Sequence, residues 1–201
     1  MKLLCCKEDA DMAESGIIQN VAVFLGAGKN PSPQCRKAAI EFAEYLADHN
    51  MTLVFGGSNK GMMKILADTM LQRNGRVVGI FTRCLSARLY RDDLTEAVIT
   101  DTLAERKAEM LRRADAVVAL PGSIGTLDEL FDALAQRKLR AINCPIGVLN
   151  INGFYDPLFA LLQNSQAAGL TSSKTLSLLC SGSTPEELFE NFRKMTIARK
   201  R

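Results

Sequence analysis

A strand-like apolar run, Ala116 to Leu120, leads straight into Pro121-Gly122-Ser123-Ile124-Gly125-Thr126, and a helical pattern with Asp128 and Glu129 near its start follows. A glycine-bearing turn at such a junction aims backbone N–H groups and the positive end of a helix at one point, a natural seat for phosphate. Neighbouring helical residues point about 100° apart, so only one of the two carboxylates can face that seat. Glu129 lies four residues past Gly125, on the same helix face, and is the better placed. A carboxylate beside a phosphate cradle suits an enzyme acting on a phosphorylated sugar. A second role competes for the same side chain. Thr126-x-x-Glu129 has the spacing of a capping box, in which the glutamate bonds back to the start of its own helix, and on spacing alone that is the commoner outcome.

Cations precede this segment. In Leu103-Ala104-Glu105-Arg106-Lys107-Ala108-Glu109-Met110-Leu111, a helical wheel gathers Leu103, Ala104, Ala108, Met110 and Leu111 into one apolar arc. Lys107 falls inside the arc and Arg106 at its edge. A lysine in a buried stripe needs an anionic partner or a route to water. Snorkelling for Lys107 and ordinary solvation for Arg106 are the plain alternatives. This helix feeds directly into the strand ending at Pro121, so both cations can reach the same pocket.

Two more glycine loops follow strand-like runs. Gly26-Ala27-Gly28-Lys29-Asn30-Pro31 begins like a dinucleotide fingerprint, with Pro31 in place of the third glycine. Gly56-Gly57-Ser58-Asn59-Lys60-Gly61 resembles a nucleotide loop without the Gly-Lys-Ser/Thr ending of a P-loop. Each alone is ambiguous, because glycine also simply closes turns. Three at one edge point to a phosphate or nucleotide pocket.

The elements that must position these loops alternate. Strand-like runs at Val21–Leu25, Thr52–Phe55, Val77–Phe81, Ala116–Leu120, Ile146–Leu149 and Leu176–Leu179 are separated by helical patterns near 33–48, 61–73, 103–113, 126–139, 155–167 and 185–195. Short apolar strands with intervening helices predict an α/β fold: a Rossmann-like, doubly wound parallel sheet in three αβα layers. Ligands of such sheets sit beyond the carboxyl ends of the strands. At 201 residues and 47% hydrophobic content the chain suits one domain, expected over residues 19–195, between a flexible leader (1–18) and a basic tail (196–201).

Composition narrows the function. A net charge of +3 with no clustered basic face argues against a large nucleic-acid surface. No apolar run approaches the ~20 residues of a membrane-spanning helix. The six cysteines form no CxxC pair and there is one histidine, so neither a zinc site nor a disulfide framework is expected. Reduced thiols and a cytoplasmic location are the plain reading. His49, at a helix end, reads as structural. It also lies at the wrong end of the sheet for a Ser-His-Asp triad. Phe42 and Tyr45 read as core, and Gly153-Phe154-Tyr155-Asp156-Pro157 as a turn and helix start.

Taken together, Gly56-Gly57-Ser58-x-x-Gly61-Met62-Met63, Glu105-Arg106-Lys107-Ala108-Glu109-Met110, Ala114-Asp115-Ala116, Pro121 to Glu129 and Asn152-Gly153-Phe154-Tyr155-Asp156-Pro157-Leu158 resemble the LOG ("Lonely Guy") family, cytokinin riboside 5′-monophosphate phosphoribohydrolases whose relatives often carry a lysine decarboxylase label. The likeness runs from residue 20 to about 190. It implies hydrolysis of the N-glycosidic bond of an AMP-type nucleotide, giving a free base and ribose 5-phosphate. It makes Arg106 and Glu129 the essential pair. It places the phosphate on the loop Gly122, Ser123, Ile124, Gly125 and Thr126. From the loops and the helical wheel, Gly56, Gly57, Ser58 and Lys107 are expected to contact the substrate too, and the chemistry calls for no metal and no cofactor. It also implies a homo-oligomer, a homodimer at least, with the pocket near the subunit interface. A nucleotide-binding or sensor protein on the same scaffold, with little or no hydrolysis, is the alternative. Nothing in the sequence specifies pyridoxal phosphate. The chain departs from the family pattern in several places. Ser58 and Ser123 stand where glycine is usual, Leu103-Ala104 replaces Met-His, and Ala135-Gln136 replaces Thr-Trp. Arg88 stands where a substrate-contacting glutamate is common.

Overall fold

The computed structural model of the chain describes residues 18–83 and 91–199. The expected leader up to residue 17, Arg88 and the last two residues lie outside the described residues. Ile18, at the end of that expected leader, packs against the core.

Among the described residues seven strands form one sheet: β1 (Asn20–Phe24), β2 (Thr52–Phe55), β3 (Val77–Thr82), β4 (Glu96–Thr100), β5 (Ala116–Ala119), β6 (Ile146–Leu149) and β7 (Leu179–Gly182). Their order is β4-β3-β2-β1-β5-β6-β7, and every pairing is parallel. The helices are α1 (Pro33–Asp48), α2 (Gly61–Gln72), α3 (Leu103–Arg112), α4 (Ile124–Lys138), α5 (Asp156–Ala167), α6 (Ser173–Leu176) and α7 (Pro185–Arg199). This is the Rossmann-like three-layer sandwich that the alternation predicted.

Side chains alternate across each strand, and the two sets fill two cores. Val21, Val23, Leu53 and Phe55 pack with Phe42, Leu46, Leu66, Met70, Leu188 and Phe192 from α1, α2 and α7. Ala22, Phe24, Val54, Val117 and Val148 pack with Met110, Leu111, Leu130 and Ala133 from α3 and α4, and with Tyr155. Burial on both faces explains why these strands read as continuous apolar runs. Asp115 fastens the amino end of the sheet: its Oδ2 accepts from the N–H groups of Gln19 (3.1 Å) and Asn20 (2.7 Å).

The main differences from the sequence expectation lie in β4, β7, α4 and α7. β4 was not predicted; it is an edge strand with alternating exposure, and its apolar stretch is only Ala97-Val98-Ile99, between Glu96 and Thr100. The strand expected at Leu176–Leu179 begins at Leu179, because Ser172 caps Thr175 N–H (3.2 Å) and turns the preceding residues into α6. α4 begins at Ile124 rather than at 126, and α7 continues through Arg199.

The chain turns toward β2 after β1 and toward β6 after β5. The crevice therefore opens between the loops that follow β1 and β5, the switch point where doubly wound sheets bind ligands.

Candidate active site

Three loops meet at this edge through close backbone contacts. A Cβ built on Gly26 would lie 3.4 Å from Gly122 Cα, and Gly26 N–H points to Pro121 O at 3.4 Å. Gly61, at φ +55°, sits against the first loop; a Cβ there would lie 2.3 Å from Gly28 O. The second loop bends at Gly57 (φ +74°), where a Cβ would strike the Phe81 ring at 2.5 Å. Ser58 beside it is buried. The sequence motifs singled out as nucleotide-like thus form one contiguous rim.

α4 opens onto that rim. Ser123 is its N-cap, and the serine side chain makes no capping hydrogen bond. The first closure is Leu127 N–H to Ser123 O at 3.1 Å. The amides of Ile124, Gly125 and Thr126 lie in the first turn, where a helix offers no acceptor of its own. Thr126 is buried and folds under the loop: a Cβ on Gly122 would lie 2.1 Å from its Oγ1.

The capping-box role for Glu129 is overturned. Thr126 is inside α4 rather than at its cap, and the Glu129 carboxylate turns away from its own backbone. Its Oε1 accepts a hydrogen bond from Arg106 Nη1 at 2.8 Å, with the two side chains 7% and 9% exposed. Capping of that kind occurs on α3 instead. There Thr102 Oγ1 accepts from Glu105 N–H (3.1 Å), while Glu105 Oε2 accepts from Asp101 N–H (2.9 Å).

Arg106 is gripped on three sides. Its Nε donates to Ile80 O (3.0 Å), Nη1 holds Glu129, and Nη2 lies over Gly56, where a Cβ would approach to 1.8 Å. Burial pushes the Glu129 pKa above its ordinary value of 4.5, while the Arg106 charge and hydrogen bond pull it back down. Such a carboxylate is poised to respond to charge appearing beside it.

Lys107 finds the anionic partner that the wheel demanded: its Nζ lies 3.1 Å from both Asp128 oxygens, at the surface. The wheel is right for Met110 and Leu111, which are buried, and wrong for Leu103, Ala104 and Ala108, which are exposed; Arg106 completes the buried face in their place. The ion pair with Glu129 pulls Arg106 inward and rotates the small apolar residues out. His49 is structural as expected, stacked on Tyr45 at 4.0 Å with Nδ1 2.8 Å from the Tyr45 carbonyl oxygen.

Sequence reasoning missed one contributor. Tyr155 reads as part of a turn, yet its hydroxyl donates to Leu120 O at 2.7 Å, directly before the Pro121 loop. A fully buried tyrosine after β6 needs a partner for its hydroxyl, but the sequence does not say which. Among the described residues, no group of three or more His, Cys, Asp or Glu could hold a metal ion, and no helix is long and apolar enough to cross a membrane.

The chain is similar to known proteins over most of its length. A family model described as "possible lysine decarboxylase" matches residues 63–192. The chain is 31% identical to a "probable cytokinin riboside 5′-monophosphate phosphoribohydrolase" of Oryza sativa subsp. japonica, over 92% of this chain and 83% of the relative. It is also 31% identical to a cytokinin riboside 5′-monophosphate phosphoribohydrolase of Arabidopsis thaliana, over 86% of this chain and 81% of that one. Among solved structures, a molybdenum cofactor binding protein from Rippkaea orientalis superposes with a TM-score of 0.66 at 24% identity, covering 89% of this chain and 97% of the other. A molybdenum cofactor carrier protein from Chlamydomonas reinhardtii gives 0.67 at 16% identity, covering 89% and 98%. These two share the fold. With a family model over more than half of the chain and relatives 31% identical over most of it, the chain belongs to the LOG family.

Proposed function

We propose that this protein hydrolyses the N-glycosidic bond of an AMP-type or cytokinin nucleoside 5′-monophosphate, releasing the base and ribose 5-phosphate. The observation that carries this reading is the buried Arg106–Glu129 pair beside the open amino end of α4. As the base departs, the ribose takes on oxocarbenium character, as in glycoside hydrolysis. Glu129 stabilises that charge and orients or deprotonates water, using the carboxylate oxygen that Arg106 does not engage. Arg106 acts first on Glu129, holding it ionised and aimed against the cost of burial. The first-turn amides of α4, with Gly122, Ser123 and Thr126, receive the phosphate. Gly56, Gly57 and Ser58 line the neighbouring wall, and Lys107 supplies a cation at the rim.

The active unit in this reading is one nucleotide-binding domain over residues 19–195, in the cytoplasm, assembled as a homodimer. Exposed apolar side chains on α3 and α4, Leu103, Ile124 and Phe131, support a contact with a second copy along this edge. Sedimentation of the pure protein checks the assembly.

The function is tested by incubating pure protein with a panel of nucleoside 5′-monophosphates, AMP and cytokinin forms included, and following free base and ribose 5-phosphate together. Equimolar release of both is the expected result. Tight binding without release defines a nucleotide sensor on this scaffold and overturns the hydrolase reading.

A further inference from the structure

Leu120 is wholly buried at the end of the β5 run, and its N–H donates to Phe24 O at 2.9 Å. Its carbonyl lies past Ala119↔Val148, the last β5–β6 pair, where the ladder stops. The N–H of Asn150, next along from β6, donates elsewhere, to Gly182 O at 2.8 Å. A buried carbonyl left without a donor is costly. Tyr155, 2% exposed, supplies that donor through its hydroxyl at 2.7 Å.

The side chain that makes this bond is itself held firmly. Tyr155 N–H donates to Asn150 Oδ1 (2.7 Å), and Asn150 Nδ2 donates to Asp156 Oδ1 (2.8 Å). Gly153, at φ +73°, lets the chain pass close over Asp156; a Cβ there would lie 2.5 Å from Asp156 Oδ2. The Tyr155 ring packs in the same core as Phe24, Ala119 and Val148. The turn after β6 is therefore a clamp with one hydroxyl reaching across to the residue that precedes Pro121. Burial raises the pKa of that hydroxyl well above its ordinary value, so it stays a donor.

We propose that Tyr155 is a positioning residue for the phosphate loop: by holding the Leu120 carbonyl, its hydroxyl fixes where the amides of residues 122–126 point and so sets the affinity for the substrate's phosphate. This rests on the phosphoribohydrolase reading for the identity of the ligand.

Tyr155→Phe removes the hydroxyl and keeps the ring in the core; Asn150→Ala loosens the clamp from the other side. Both are compared with the wild type in three measurements: calorimetric binding of ribose 5-phosphate, kinetics on AMP and on adenosine, and thermal midpoint. The expected result is ribose 5-phosphate binding weaker by about tenfold, the scale of one lost hydrogen bond, with KM for AMP raised alike and kcat nearly kept. Any slow hydrolysis of adenosine, which has no phosphate, is unchanged. Equal ribose 5-phosphate affinity in wild type and both variants overturns the proposal. So does an equal loss on AMP and adenosine together with a lowered thermal midpoint, which marks a purely structural role. A wild type that binds ribose 5-phosphate and releases no base overturns the hydrolase reading alone, and the binding comparison still decides the role of Tyr155. A wild type that binds neither ribose 5-phosphate nor AMP overturns both.

Discussion

Glu129 and Arg106, 23 residues apart in the chain, meet at 2.8 Å between Oε1 and Nη1, beneath the three glycine loops. A buried carboxylate is costly when ionised, and a buried guanidinium without its anion is equally costly. Each makes the other tolerable, and together they tie α3, beside β3, to the first turns of α4 after β5.

Glu129→Gln tests the pair directly. The amide matches the carboxylate in size, so the fold is expected to persist, while electrostatic stabilisation of the ribosyl cation is lost. Turnover on AMP should fall by at least about 10²-fold. Base release close to the wild-type rate removes Glu129 from the chemistry.

The pH profile carries a second signature. Burial raises the Glu129 pKa, and the working form is the carboxylate. As pH falls through that raised value the group protonates, so the acid limb of kcat/KM should lie above the ordinary glutamate value of 4.5. Glu129→Gln should abolish that limb. The linked stability has the opposite sense. A folded-state pKa above the unfolded one gives a contribution fully present below the unfolded value and lost as pH rises through the folded value. Chemical denaturation across the acid range should show this slope flattened in the variant.

Gly56→Ala places a methyl group 1.8 Å from the present position of Arg106 Nη2. The guanidinium must move, and its bonds to Ile80 O and Glu129 go with it. Activity should drop by an order of magnitude or more, with a stability loss of about 1–3 kcal/mol from overpacking. Kinetics and urea denaturation on the same preparation separate the two effects.

Glu109 accounts for part of the acid sensitivity. Arg112 and Arg113 hold its carboxylate with bonds of 2.7 and 2.6 Å, and its pKa falls from 4.5 to about 2. A depressed folded-state value gives stability that is present above the unfolded pKa and lost as pH falls toward 2. Glu109→Gln should lower stability at neutral pH and leave little difference from the wild type at pH 2, as thermal melts at both pH values would show.

Much of this molecule can be read from its letters, for physical reasons. β1, β2, β5 and β6 are buried on both faces, so each leaves an apolar run with a turn after it. β4 escapes notice because neither face of this edge strand is fully buried: Ala97 and Ile99 face water, while Glu96 and Thr100 share the half-buried face with Val98. The loops were legible because close approach leaves no room for a Cβ, against the Gly28 backbone at Gly61 and against the Thr126 side chain at Gly122. The pairing of Glu129 with Arg106 came only from the family resemblance: on spacing alone Thr126-x-x-Glu129 favours a local capping pattern, and the tertiary arrangement of α3 against α4 decides. Part of the buried face of α3 was misread for the same reason, since a wheel ranks residues by hydropathy and cannot know that an arginine has an acid waiting.

The glycine contacts among the three loops have one further consequence. Because the first loop touches the backbone of both the others, at Gly122 and at Gly61, strain introduced there is handed on without a cushion. The pocket should therefore tolerate sequence drift in concert or not at all. A change in the first loop would need a compensating change beyond the fifth strand, which makes this rim a poor place to graft single substitutions and a better one to exchange as a set.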